Sequence, residues 1–256
     1  MSHILQRREI LDAEQLARNL ADDPRQVTRW LLVAAEAGEA EAQALLGQAL
    51  LDGRGIARDP ALARTWFAIA AGRGHAMADN MLGRCLEHGW GGAVDLAAAA
   101  RHYRAAAERG LDWGMYNYAN LLATGRGLAT DETRALAWYR RAAELGHAKS
   151  MNLVGRYHEE GRVVPADAQT ALVWYRRSAE AGDFRGQFSY ATVLLGLGRL
   201  DEARHWLLAA LQLGHLKFLR KAGEELQRAA LVPLADIAAA YAQRCAELEA
   251  AEGVPA

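Results

Sequence analysis

The sequence predicts an all-α fold, an α-solenoid of about five repeats of 36 residues with two helices each. Three observations carry that expectation. Trp30, Trp66, Trp138 and Trp174 fall at multiples of 36 residues from one another, with His102 in the vacant place between Trp66 and Trp138. Gly38, Gly74, Gly110, Gly146 and Gly182 follow those positions by eight residues, and Gly214 follows Trp206 by eight in a last repeat shortened by four. Ahead of the same positions stand alanines at minus three (Ala63, Ala99, Ala135, Ala171, Ala203) and aspartates at minus seven (Asp59, Asp95, Asp131, Asp167). A period of this length marks stacked two-helix units, none of which can bury its apolar face alone.

In chain order, residues 1–39 are expected to form N-terminal capping helices and a half-repeat. Residues 9–21 read as amphipathic, with Ile10, Leu16 and Leu20, and Asp23-Pro24 opens the helix that carries Trp30. Five repeats follow at 40–75, 76–111, 112–147, 148–183 and 184–215. Their first helices start near Ala40, Ala76, Trp113, Lys149 and Arg185 and run for about twelve residues, with a small residue mid-helix: Gly47, Gly83, Ala119, Gly155, Ala191. Glycine there costs up to about 1 kcal/mol relative to alanine, so a close helix crossing is expected to compensate. Paired glycines, Gly53 with Gly55, Gly89 with Gly91 and Gly125 with Gly127, make the turn to the second helix, while the fourth repeat has Gly161 and Val163.

The aspartates suit the N-cap of that second helix, where a carboxylate accepts orphan backbone N–H groups at the positive end of the dipole. Pro24 and Pro60 then occupy the favoured first helical position. Ala135, Trp138, Ala142 and Leu145 share one helical stripe, so the tryptophan column is expected to face inward. The glycine eight residues on ends the helix in a left-handed turn that costs roughly 1 to 2 kcal/mol in other residues. Residues 216–256 depart from the repeat. They are expected to hold two C-terminal capping helices, Leu216 to Ala229 and Pro233 to Ala251, and a short tail, with apolar marks at Leu234, Ile237, Tyr241 and Leu248.

The run Ala40-Glu41-Ala42-Gln43-Ala44-Leu45-Leu46-Gly47 through Asp52-Gly53-Arg54-Gly55 to Trp66 and Gly74 resembles Sel1-like repeats, relatives of tetratricopeptide repeats. The likeness extends over roughly residues 24 to 215, with departures at His102-Tyr103, at Ala119 and Ala191, and in the short fifth link. It implies a right-handed α-solenoid of helix-turn-helix repeats that works as a protein-binding scaffold or adaptor, with the first helices lining a concave groove.

On those helices, positions six and ten after each leading glycine share a face, being four apart. They hold Ala44 with Gln48, Asn80 with Arg84, Tyr116 with Asn120, Asn152 with Arg156, and Phe188 with Thr192. Amides can satisfy a peptide backbone, arginines can fork onto carboxylates and rings can seat a side chain. Asn80, Arg84, Tyr116, Asn120, Asn152, Arg156 and Phe188 are therefore candidate peptide contacts, against the plainer alternative of solvated helix positions. Trp113 joins them from an aromatic cluster, Trp113 to Tyr118, in which Tyr118 matches core positions and Trp113 and Tyr116 are expected to be exposed.

Composition narrows the alternatives. Lys plus Arg is 30 against 31 for Asp plus Glu, which offers no field for nucleic acid. Arginine dominates the basic residues, with lysine only at 149, 217 and 221, a bias that resembles the compositional drift expected of a GC-rich bacterial genome. Two cysteines, Cys85 and Cys245, offer neither a disulfide ladder nor a zinc site and suit a reducing setting. Neither a signal peptide nor an apolar run long enough for a membrane span is visible, so the location is expected to be cytoplasmic.

His75, His147 and His215 follow the helix-ending glycines and read as turn and cap residues, while His88 and His158 with Glu159 and Glu160 lack metal-binding spacing. No nucleophile, phosphate-loop or dinucleotide signature is present, so neither catalysis nor a cofactor is expected. Two functions remain: an adaptor that presents its groove to a protein or peptide, or an accessory or regulatory subunit of an enzyme or transport system, either monomeric or homodimeric through the C-terminal helices.

Overall fold

The computed structural model describes residues 23–252, so the amphipathic reading of 9–21 lies outside the described residues. Among these residues every regular element is helical. The chain divides into two compact units, one of residues up to 114 with 126–128, the other of 115–125 with 129 onward.

The first unit contains α1 (Pro24–Glu36), α2 (Ala40–Asp52), α3 (Pro60–Gly72), α4 (Ala76–His88), α5 (Leu96–Glu108) and the opening turn of α6 (Asp112–Thr124). The second takes up α6 at Met115 and adds α7 (Glu132–Glu144), α8 (Ala148–Glu160), α9 (Ala168–Glu180), α10 (Phe184–Gly196) and α11 (Leu200–Leu213). It closes with α12 (Leu216–Ala229), a 3-10 turn over Val232–Leu234, and α13 (Ala235–Glu252). Consecutive helices pack as antiparallel hairpins, α2 on α3, α4 on α5, α8 on α9, α10 on α11 and α12 on α13.

Local chemistry sets the helix ends. Asp23, Asp59, Asp95, Asp131 and Asp167 each accept backbone N–H bonds from the first turn of α1, α3, α5, α7 and α9. The backbone N–H groups of Asp59, Asp95, Asp131 and Asp167 reach back to the carbonyls of Leu50, Leu86, Leu122 and His158 at 2.8–2.9 Å, which fixes each hairpin turn. Gly38, Gly74, Gly110, Gly146 and Gly182 all carry positive φ, as their place after a helix requires. Gly214 departs from the expected left-handed turn: with φ −71° and ψ 137° it is extended, and any residue could adopt its backbone. His75, His147 and His215 cap α4, α8 and α12 through Nδ1, which accepts the N–H of Ala78, Ser150 and Phe218 at 3.1–3.3 Å.

The core corrects one expectation by a single residue. The tryptophans do not form it: Trp30 is 47% exposed and Trp66, Trp138, Trp174 and Trp206 are half-buried. The buried column is the next residue, Phe67, Tyr103, Tyr139, Tyr175 and Leu207, each at most 2% exposed. Leu145, assigned to the inward stripe with Trp138, is exposed as well.

The reason lies on the facing helix. A Cβ added to Gly47 would stand 2.8 Å from the Phe67 ring, one on Gly83 2.7 Å from Tyr103, and one on Gly155 2.6 Å from Tyr175. The mid-helix glycines thus seat an aromatic ring from the partner helix, and the ring's burial, worth about 1.5 to 3 kcal/mol, offsets their helix penalty. Where alanine replaces glycine the partner changes: Ala191 belongs to the hairpin whose buried residue is Leu207, and at Ala119 the Tyr139 hydroxyl turns to Asn120 Oδ1 at 2.6 Å.

Buried phenols mostly find an acceptor, and the two ring-on-glycine tyrosines do, whereas the buried Tyr157 hydroxyl has none. Tyr103 donates to Glu87 at 2.7 Å and Tyr175 to Glu159 at 2.6 Å, the same relation two repeats apart. Burial, reinforced by these carboxylates, pushes both phenols far above their ordinary pKa and keeps them protonated donors. The C-terminal hairpin repeats the device in altered form: Gly223 lies against Tyr241, whose hydroxyl donates to the Leu207 carbonyl at 2.8 Å. Leu234, Ile237 and Tyr241 are buried and Leu248 packs against their cluster.

Candidate functional site

With the aromatic locks filling the hairpin interiors, the surfaces left for other molecules are the outer faces of the helices. In the second unit, α8, α10 and α12 line an open groove of about 610 Å³. Asn152 and Arg156 come from α8, Phe188 and Thr192 from α10, Lys217 and Lys221 from α12. Phe188 meets Phe218 edge to face at 5.8 Å between ring centres, an apolar floor between charged walls.

The charges are not evenly satisfied. Arg156 lies 3.8 Å from Glu160, and Lys221 lies 3.8 Å from Glu225. Arg185 and Lys217, at the first turns of α10 and α12, make no ion pair among the described residues. Arg185 leans over the Phe184 ring at 4.5 Å, with Nη2 3.2 Å from His215 Nε2. Burial first, then the nearby Arg185, Lys217 and Lys149 cations, hold the His215 imidazole below its ordinary pKa. Asn152 is 8% exposed and its Oδ1 has no hydrogen-bond partner.

The structure distributes the sequence-derived candidates unevenly. Asn152, Arg156 and Phe188 meet around this groove. Tyr116 is half-buried, its ring 4.8 Å from His147 and 6.2 Å from Tyr139, and Asn120 accepts the Tyr139 hydroxyl, so both serve the hairpin interior. Tyr116 therefore departs from the exposure expected of it.

Asn80 and Arg84 belong to the first unit, where Asn80 is only 4% exposed and the Arg84 guanidinium stacks on Trp90 at 4.9 Å. Trp113 is 41% exposed, at the start of α6. Sequence reading missed Arg185, Lys217, Lys221 and Phe218. A signal existed for the lysines, since the three in the chain stand at 149, 217 and 221, all on α8 and α12.

Cys85 is buried and Cys245 half-buried, both as free thiols, and among the described residues no cluster of His, Cys, Asp and Glu is set to hold a metal. None of the described helices is long and apolar enough to cross a membrane.

The model of the Sel1 repeat matches residues 40–75, 76–111, 114–147, 148–183 and 190–215, more than half of the chain. The chain belongs to the Sel1 repeat family. Sel1 repeats are protein–protein interaction modules, and the family fold is non-catalytic.

Among solved structures the chain is similar to a Sel1 repeat protein from Oxalobacter formigenes, with TM-score 0.78 and 24% identity over 90% of this chain and 94% of that one. It is also similar to a protective antigen of uropathogenic Escherichia coli strains displaying an SLR fold, with TM-score 0.71 and 27% identity over 88% of this chain and 49% of that one. An immunity protein from Pseudomonas aeruginosa shares the fold at TM-score 0.52 and 16% identity, over 83% of each chain. No curated protein matches the chain. These likenesses place the helical hairpins described above among the Sel1 solenoids.

Proposed function

We propose that this Sel1 repeat protein is a scaffold or adaptor that holds a peptide or protein segment along the groove of α8, α10 and α12. The observation that carries the reading is an open groove floored by Phe188 and Phe218, with the polar side chains of Asn152 and Arg156 among its lining. Amide and guanidinium groups beside an apolar floor can engage a peptide's backbone and its side chains together. Balanced overall charge speaks for a protein over a nucleic acid as partner, and the free thiols Cys85 and Cys245 suit a reducing cytoplasmic setting.

Photo-crosslinking in the native host tests this. A photoreactive amino acid at Thr192, exposed in the groove, is expected to capture a discrete partner, and Arg156→Ala is expected to reduce the yield. Val173, 55% exposed on the second helix α9, serves as the control position. Equal capture from both positions counts against the groove.

A second reading, homodimerisation through the C-terminal helices, is favoured by Val232 and Leu231, which are 86% and 43% exposed beside an apolar cleft of about 450 Å³. Light scattering on the full chain distinguishes it: a dimer that Val232→Asp converts to monomer supports that reading, and a monomer removes it.

A further inference from the structure

Within the groove, like charge is concentrated at one end. Lys149, Arg185 and Lys217 each occupy the second residue of α8, α10 and α12, beside the helix N-termini, where the dipoles add positive potential. Arg185 and Lys217 are exposed and make no ion pair among the described residues. Burial first, and then all three cations, lower the His215 pKa, and the buried Asp183 carboxylate lies within reach of the Arg185 and Lys149 charges.

At the other end the carboxylates are all engaged. Glu159 accepts the Tyr175 hydroxyl, Glu160 faces Arg156 at 3.8 Å and Arg162 at 3.7 Å, and Glu225 faces Lys221. The groove therefore presents two cations without an ion pair, Arg185 and Lys217, above a floor of two phenyl rings.

We propose that the groove selects an acidic, extended peptide segment, with carboxylates against Arg185 and Lys217, backbone beside the Asn152 side chain, and an apolar side chain on Phe188 and Phe218. The inference rests on the peptide-groove reading above and adds the chemistry of the partner. A polyphosphate backbone fits less well, because its regular charge would meet Glu159, Glu160 and Glu225 as well as the cations.

Selection of a random displayed-peptide library on the full chain tests it. Enriched peptides are made with a fluorophore and titrated by anisotropy at low and high salt. Peptides rich in Asp and Glu are expected, weakened by salt, and weakened about tenfold by the double variant Arg185→Ala with Lys217→Ala, about 1.4 kcal/mol of binding. Both residues are exposed, so the variant is expected to melt as the parent does, and circular dichroism checks that. Asn152→Ala is expected to weaken the same peptides.

Peptides without acidic excess that are lost on Phe188→Ala but indifferent to the double variant would overturn the acidic partner and leave the groove reading standing. Selected peptides indifferent to every groove variant, or no enrichment, would overturn both. Displacement of the acidic peptides by an equal charge of polyphosphate or short RNA, at equal or lower concentration, would also overturn it by making the site a general polyanion surface.

Discussion

The hairpins α4–α5 and α8–α9 share one interior and differ in their surfaces. Gly83, Tyr103 and Glu87 in the first correspond to Gly155, Tyr175 and Glu159 in the second, with the same ring-on-glycine seat and the same phenol-to-carboxylate bond. Around that common lock many positions diverge, three of them with consequences for the surface or the turn. Leu86 becomes His158, Gly91 becomes Val163, and Trp90 becomes Arg162.

The last exchange alters the neighbouring arginine's surroundings. Arg84 lies on the Trp90 ring, whereas Arg156 has no such ring and faces the groove, while Arg162 turns to Glu132 and to the Tyr157 ring at 4.7 Å. Packing is thus specified by residues at a fixed period, and the exposed chemistry by residues that break it.

The largest effect is expected from opening the lock itself. Tyr103→Ala and Tyr175→Ala should each cost about 3 to 5 kcal/mol in urea unfolding, as large-to-small changes at fully buried rings. Trp174→Ala, next to Tyr175 but half-buried with Arg177 on its face, should cost clearly less. Equal losses at 174 and 175 would mean that the tryptophan column is core after all.

His158→Leu should make the second hairpin more like the first and stabilise it by about 1 kcal/mol, because His158 Nδ1 is buried without a partner where Leu50, Leu86 and Leu122 are buried and apolar. The same variant sharpens a pH test. Burial, with Arg140 close by, holds the His158 pKa below its ordinary 6.5, so the fold favours the neutral ring. That contribution is complete above pH 6.5 and is lost as pH falls through the depressed value. Melting temperature should therefore drop less on acidification in His158→Leu than in the parent, and an unchanged pH profile would contradict it.

A smaller gain is expected from Val163→Gly. Val163 is a β-branched residue at φ 54°, costing roughly 1 to 2 kcal/mol, against a glycine entropy penalty of about 0.5 to 1 kcal/mol, for a net gain of about 0.5 kcal/mol. The converse, Gly91→Val, should destabilise by more than Val163→Gly gains, because a Cβ at Gly91 runs into the Pro60 carbonyl. Urea midpoints of the two variants give the signs directly.

Most of the fold was legible because its signals are local. Aspartate caps, left-handed glycines and their spacing each state a helix end within a few residues of the element concerned. The misplaced ring column was not local: a helical stripe wide enough to face a neighbour admits both a tryptophan and the residue after it. Only the facing helix decides between them. Gly47, Gly83 and Gly155 stand 20 residues before Phe67, Tyr103 and Tyr175, a pairing visible in the sequence once the ring's seat is known.

The site was half legible for a similar reason. Asn152, Arg156 and Phe188 followed from spacing within repeats, whereas Lys217, Lys221 and Phe218 come from α12, beyond the last matched repeat, where the period no longer set a register. Tyr116 and Asn120 look equivalent in sequence, yet a neighbouring ring and a neighbour's hydroxyl occupy them, while Asn80, as buried as Asn152, lies in the other unit.

With the interior locks closed, the face of α8, α10 and α12 is the one proposed to receive a partner. Hydrogen–deuterium exchange of the full chain, with and without a selected acidic peptide, tests it most directly. Protection is predicted to rise within 148–160, 184–196 and 216–229, with little change in 168–180 and 200–213. Protection centred on the second helices, or none at saturating peptide, would rule out binding on the α8, α10 and α12 face.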